Sequence, residues 1–209
     1  AIDQLARAQF IAGTSVQYAS TATARTELGS GMYLTAAEVR EAVRTLSRQD
    51  APKIPGAGYV SVIHPDTRFD FLGDSDVVSA YENAGPRGAD NPLFTGELFR
   101  WMGVTFEVTS NAAKIDALPS KGSPGLSGAA VYQTVVFGDQ AVGASEFSAL
   151  ALALVVKPFG SSGAVDDPLD QLASVGWKAS YAAGILNENF LVRIEHTTSL
   201  SRNGDESSA

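Results

Sequence analysis

LTAAEVREAVRTLSRQDAPKIPGAGYVSVIHPDTRFDFL, residues 34–72, encodes a helix, a buried strand and a second short helix in succession. Thr35 followed by Glu38 is a capping box, in which hydroxyl and carboxylate satisfy the orphan amide donors at a helix start. Behind it Val39, Ala42, Val43 and Leu46 recur at helical spacing, while Arg40, Glu41, Arg44 and Arg48 fall largely off that stripe. The helix is predicted to end near Asp50, and Pro52, Pro55 and Gly56 then break the chain. Tyr59-Val-Ser-Val-Ile63 is β-branched and reads as a buried strand cut by Pro65, with a short helix over Asp66 to Leu72.

Upstream, Ile2, Leu5 and Ala12 suggest a helix stopping at Gly13, and residues 14–34 read as a meandering connection. Downstream, residues 73–96 read as loop, with Gly85-Pro86 and Asn91-Pro92 as turn signals. Val104, Phe106 and Val108 alternate with polar residues as in a half-buried strand. A surface loop is expected over Pro119 to Gly128, strands over Val131–Phe137 and Leu150–Lys157, and a helical turn over Asp139–Gly143. The alternations around Val175–Tyr181 and Phe190–His196, separated by Gly184, Asn187 and Asn189, predict a long antiparallel hairpin. Its expected register sets Lys178 opposite Glu195 and Tyr181 opposite Val192. Residues from Ser199 onward read as a polar tail. Short strands interleaved with few helices indicate the α+β class.

The 209 residues are 44% hydrophobic with a net charge of −8. That suits one sizeable core or two small ones. An acidic body opposes nucleic-acid binding, which rests on Lys and Arg neutralising phosphates. If such a chain encloses DNA, it does so as a wall and not as a glue. The absence of cysteine excludes disulfides, thiolate metal sites and thiol nucleophiles. No apolar run reaches the roughly 18 residues of a membrane helix.

A search for chemistry favours structural readings. His64, between a strand and Pro65, suits a turn histidine bonded to backbone better than a catalytic base. His196, near a strand end, is expected to pack beside Trp177. Two histidines far apart make no metal site. Asp166, Asp167 and Asp170, like Asp70, Asp74 and Asp76, could hold a hard cation but suit helix capping better. No serine sits in a Gly-x-Ser-x-Gly elbow, although Gly125-Leu-Ser-Gly128 comes near. Phe99, Arg100 and Trp101 could form a stacking platform, with core packing the preferred reading. No catalytic, cofactor or metal residue is therefore assigned.

The ordered series of segments carries more than any one of them. Leu34 to Arg40 with Leu46, Gly58 to Pro65 with Asp70-Phe-Leu72, and Gly96 and Leu98 to Ser110 come first. Val131 to Gly138 with Ala141, Asp167-Pro-Leu169, Val175 to Lys178, Tyr181 to Asn187 and Val192 to Glu195 follow. In that order, over about residues 1 to 197, the sequence resembles the large-phage major capsid family of the Hong Kong 97-like fold. The resemblance implies a peripheral domain from residues 1–34 and 151–198, an axial domain over 35–150, and a flexible tail at 199–209. That family also carries an N-terminal arm and an extended loop ahead of a long spine helix. Only the end of that helix is matched here, which implies that arm and loop are absent from this sequence.

The resemblance further implies a non-enzymatic protein, without cofactor, that self-assembles into hexamers and pentamers of an icosahedral shell around double-stranded DNA. Its expected partners are itself, neighbouring capsomers, portal, scaffolding and decoration proteins, and packaged DNA bound without sequence specificity, with no membrane. Its expected location is the virion capsid, and the host bacterial cytoplasm during assembly. Tyr81, Arg87, Asn91, Arg100, Lys121, Lys178 and Glu195 are the expected subunit contacts. An encapsulin-type compartment shell, a decoration or binding module, and a small hydrolase using His64 or His196 are the competing readings.

Overall fold

The computed structural model describes residues 2–29, 31–84, 100–115, 130–146, 153–158 and 173–200. Four helices run over Ile2–Phe10 (α1), Ala36–Arg48 (α2), Pro65–Leu72 (α3) and Ser75–Ala84 (α4). The first five strands are Val16–Tyr18 (β1), Tyr59–Ile63 (β2), Val104–Val108 (β3), Lys114–Ile115 (β4) and Val131–Phe137 (β5). The rest are Val142–Glu146 (β6), Ala153–Lys157 (β7), Ser174–Lys178 (β8), Tyr181–Ile185 (β9) and Leu191–His196 (β10). The mixture is α+β, as the sequence indicates.

A six-stranded sheet in the order β1-β10-β5-β2-β3, with β4 also on β5, organises the chain. Because side chains alternate across a strand, each strand feeds both faces of the sheet. One face carries Tyr59, Ile63, Val104, Phe106, Val136, Val192 and Ile194, and these meet Val39, Ala42 and Leu46 of α2, Phe71 of α3 and Val77 of α4 in the main core. The other face offers Val135 and Leu191 to Phe10 and Ile11 beside α1. Gly58 (φ 79°) enters β2 against the Gly103 carbonyl, where a Cβ would lie 2.3 Å from that oxygen; only glycine suits this crossing.

The capping box of α2 forms. The Glu38 carboxylate accepts the Thr35 amide at 2.9 Å and the Thr35 hydroxyl, and takes the Ser20 amide at 3.0 Å as well. Asp74 caps two helices: its Oδ1 accepts the Asp76 amide at 3.0 Å and its Oδ2 the Ala36 amide at 2.8 Å. Its backbone carbonyl receives the Val78 amide at 2.9 Å. Residues 73–84, expected as loop, are therefore mostly α4, started by Asp74 and held by buried Val77.

Three further expectations change. The connection at 14–34 contains β1, parallel to β10 with Gln17 beside Ile194. The helical turn expected over Asp139–Gly143 is a tight turn at Asp139–Gln140, with Gln140 at φ 58°, and Val142 and Gly143 already belong to β6. The long hairpin does not form. β8 pairs with β7 (Lys178 opposite Ala153), β9 with β6 (Tyr181 opposite Glu146), and β10 with β5 (Glu195 opposite Gln133). The residues between β9 and β10 form a 3-10 turn in which the Asn187 side chain accepts the Asn189 amide. β9, as Tyr-Ala-Ala-Gly-Ile, offers β10 little to pack against, whereas β5 presents a run of large buried side chains. The central sheet thus joins strands from residues 14–34, 35–150 and 151–198. The loop expected at Pro119–Gly128, residues 85–99, and Asp166 to Asp170 lie outside the described residues.

Candidate assembly surface

Most polar residues singled out in the sequence hold the fold together. His64 caps α3: its Nδ1 accepts the Asp66 amide at 3.2 Å, and Tyr132, whose ring lies 5.1 Å away, donates its hydroxyl to Asp66 at 2.7 Å. The Asp70 carboxylate accepts the Ser199 amide at 2.8 Å, and Asp74 is the double cap above. Among the described residues no group of three His, Cys, Asp or Glu side chains is placed to hold a metal ion. Trp101 packs against the main core, and exposed Arg100 donates to the Thr105 hydroxyl at 3.3 Å and to the Gly56 carbonyl.

Glu195 is the clearest correction. It is not a surface contact but is wholly buried, on the sheet face that also carries Gln133 and Arg193. Arg25 donates to it through Nε at 2.7 Å and Nη2 at 2.5 Å, Gln133 at 3.0 Å, and the Arg193 guanidinium stands 3.1 Å away. His196, equally buried, stacks on Tyr132 and not on Trp177, with ring centroids 6.1 Å apart. Its Nε2 lies 2.9 Å from the Thr134 hydroxyl and its Nδ1 3.0 Å from the Thr197 carbonyl. A carbonyl only accepts, so Nδ1 carries the proton, and Nε2 accepts from Thr134 in a neutral ring.

Both groups make the fold acid-sensitive. Burial pushes His196 down to about 4 from its ordinary 6.5. Between those values the unfolded chain holds a proton that the folded chain does not. Stability is therefore full above pH 6.5 and falls as pH drops toward 4. For Glu195 burial pushes upward, but hydrogen bonds from Arg25 and Gln133 and the charges of Arg25 and Arg193 outweigh it, leaving the carboxyl below its usual value. The unfolded carboxylate protonates first, so this contribution too is lost in acid. Denaturant titrations should give constant unfolding free energy above pH 6.5 and a loss on the order of 3 kcal/mol by pH 4 from His196 alone. A pH-independent value from 7 to 4.5 would contradict this.

Surface chemistry concentrates elsewhere. Among the described residues β7 and β8 form a two-stranded ribbon paired with no other strand. Directly opposed residues in an antiparallel pair share a face. Leu154 with Trp177, and Val156 with Val175, therefore lie on one side, while Ala153, Val155, Lys157, Lys178, Ser174 and Gly176 lie on the other. The four large apolar groups are 68%, 64%, 56% and 72% exposed, in that order. A ribbon of two strands is marginal in water by itself, and a contiguous exposed apolar face marks an interaction site. Sequence reasoning did not place these residues at the surface. Their apolar alternation was visible, but a buried strand shows the same alternation.

The other expected contacts divide. Lys178 is exposed on the ribbon, and Arg100 is exposed four residues before β3. Tyr81 lies in α4. Arg87, Asn91 and Lys121 lie outside the described residues.

Residues 6–178 match the family model described as phage capsid protein. The chain belongs to that family. Solved phage capsids share the fold of this phage capsid chain. The capsid of cyanophage Pam1 superposes with a TM-score of 0.65 at 17% identity, covering 90% of this chain and 55% of that one. The capsid of Ralstonia phage GP4 gives 0.60 at 16% identity, covering 88% and 52%. The capsid of Helicobacter pylori bacteriophage KHP30 gives 0.56 at 11% identity, covering 93% and 64%. The phage capsid chain thus spans about half to two thirds of the length of these relatives. Its architecture is the Hong Kong 97-like one that the sequence resembles. Among curated proteins no sequence matches. No helix among the described residues is long and apolar enough to cross a membrane.

Proposed function

We propose that this chain is a shell subunit of a tailed-phage capsid, whose copies associate laterally into hexameric and pentameric capsomers of an icosahedral wall around double-stranded DNA. The exposed apolar face of the β7–β8 ribbon carries this reading. Leu154, Val156, Val175 and Trp177 lie open to water in a single chain. Covering such a face stabilises by roughly 25 cal/mol for each Å² of apolar surface removed from water. Repeated by symmetry, a modest free energy per contact accumulates over a closed particle.

The body built on the six-stranded sheet takes the axial position at the capsomer centre, and the ribbon the peripheral one. Arg100, Lys178, Tyr81, Arg87, Asn91 and Lys121 are the polar contacts of this assembly. Glu195 is withdrawn from that set. With a net charge of −8, the wall holds its DNA by enclosure and reads no sequence. The role is structural, with no reaction of its own. In the infected cell the subunit gathers in the cytoplasm with scaffolding and portal proteins, and it ends in the virion.

Sedimentation and negative-stain microscopy of the purified protein test this. Closed shells or capsomer rings are the expected result. A monodisperse monomer at every concentration, from a chain otherwise folded, would overturn it.

A further inference from the structure

The segment Ser15–Gly29 is held to the body in an unusual way. It lies as β1 along the outer edge of β10, turns at Ser20 (φ 60°), and closes a 3-10 turn at Arg25–Glu27. Its buried apolar residues are Ala19 and Leu28. Backbone ties are few beyond the β1 register: the Arg193 amide donates to Ser15 at 2.9 Å, and the Ala19 amide to Glu195 at 3.0 Å. Side chains complete the hold: Gln17 donates through Nε2 to the Glu38 carbonyl at 3.2 Å and to the Glu41 carboxylate at 3.3 Å. Glu38 accepts the Ser20 amide at 3.0 Å, the Thr197 hydroxyl donates to the Gly29 carbonyl at 2.9 Å, and Glu195 takes the two-pronged contact from Arg25.

The Arg25–Glu195 contact is the strong one, because a bidentate guanidinium–carboxylate pair is charge-assisted and its acceptor is sealed from water. The two ends differ sharply in access. The Arg25 side chain is 41% exposed and that of Glu195 not at all. Glu195 also has other company. When Arg25 swings away, Gln133 at 3.0 Å and the Arg193 guanidinium at 3.1 Å remain, so no lone buried charge is left behind. A latch whose catch stays satisfied when open gives two viable states.

We propose that Ser15–Gly29 is a releasable strap, latched by Arg25 on Glu195, whose opening bares the outer edge of β10 without unfolding the sheet. Beneath it the Arg193–Glu195 stretch would then offer unpaired backbone groups to a strand from another copy.

Backbone hydrogen exchange tests the device, comparing Ser15–Gly29 with α2 and β5. In Arg25→Gln the strap amides should exchange about ten- to a hundredfold faster, while α2 and β5 keep their rates. Arg25→Lys, which keeps the charge but not the fork, should fall between. Arg25→Ala, which removes the guanidinium and leaves Glu195 with Arg193 and Gln133, should release the strap as fully as Arg25→Gln. Unchanged strap exchange in Arg25→Gln overturns the proposal. So does a rise shared by strap, α2 and β5, or failure of both variants to fold, since the pair would then belong to the fold itself.

Discussion

Replacing Val175 and Trp177 together with aspartate should leave a folded subunit that no longer assembles. Both side chains stand on the open face of the ribbon, 72% and 64% exposed, so the fold loses little. What it loses is their cross-strand contact with Val156 and Leu154, roughly 0.2–1 kcal/mol for each pair. Assembly loses far more. Burying a large apolar side chain at an interface stabilises by about 1.5–3 kcal/mol, so two together contribute some ~3–6 kcal/mol per contact. That weakens association roughly 10²–10⁴-fold, before the cost of burying two carboxylates. Sedimentation should show subunits where the parent shows particles, with an unchanged circular dichroism spectrum. Ser174→Asp, on the opposite face of the same ribbon, is the control and should still assemble. Particles formed by the double variant at the parent's concentration would remove the ribbon face from the interface.

Glu195→Ala should instead damage the subunit itself. The substitution leaves Arg193, whose side chain is 11% exposed, and Gln133 facing an empty position, and it frees Arg25. Removing one partner of a buried ion pair costs about 3–5 kcal/mol. For a chain of this size the melting temperature should fall by roughly 6–20 °C. A contact residue at the surface behaves in the opposite way, weakening association while the dissociated subunit melts as before. Thermal unfolding of dissociated protein therefore separates the two roles. A melting temperature within a degree of the parent's would place Glu195 outside the core network.

The ribbon face and Glu195 show where a sequence can be read and where it cannot. The helix at Ala36–Arg48 was legible because its signals are local: a cap, a carboxylate three positions on, and a stripe at 3.6 spacing. The strands at Tyr59–Ile63, Val104–Val108 and Val131–Phe137 were legible for the same reason. Strand partners were not. Alternation says which residues share a face, but not which strand lies alongside, and neighbours in sequence are the default guess. That default joined Val175–Tyr181 to Phe190–His196, whereas the chain pairs each with a strand further back. Glu195 was misread because its neutralising partner is Arg25, 170 positions away, and a lone glutamate on a strand looks like a solvent-facing one. The ribbon failed in reverse. Leu154, Val156, Val175 and Trp177 have the pattern of core residues, and only the fold reveals that nothing within the described chain covers them.

A reconstruction of the assembled particle, at a resolution that shows side chains, tests the ribbon's role most directly. The quantity to measure is the area that Leu154, Val156, Val175 and Trp177 still expose to solvent. All four should lie against atoms of a neighbouring copy, with most of the surface that is open in the single chain removed. Particles in which all four remain open to water, with neighbouring copies meeting elsewhere, would contradict lateral assembly through this face.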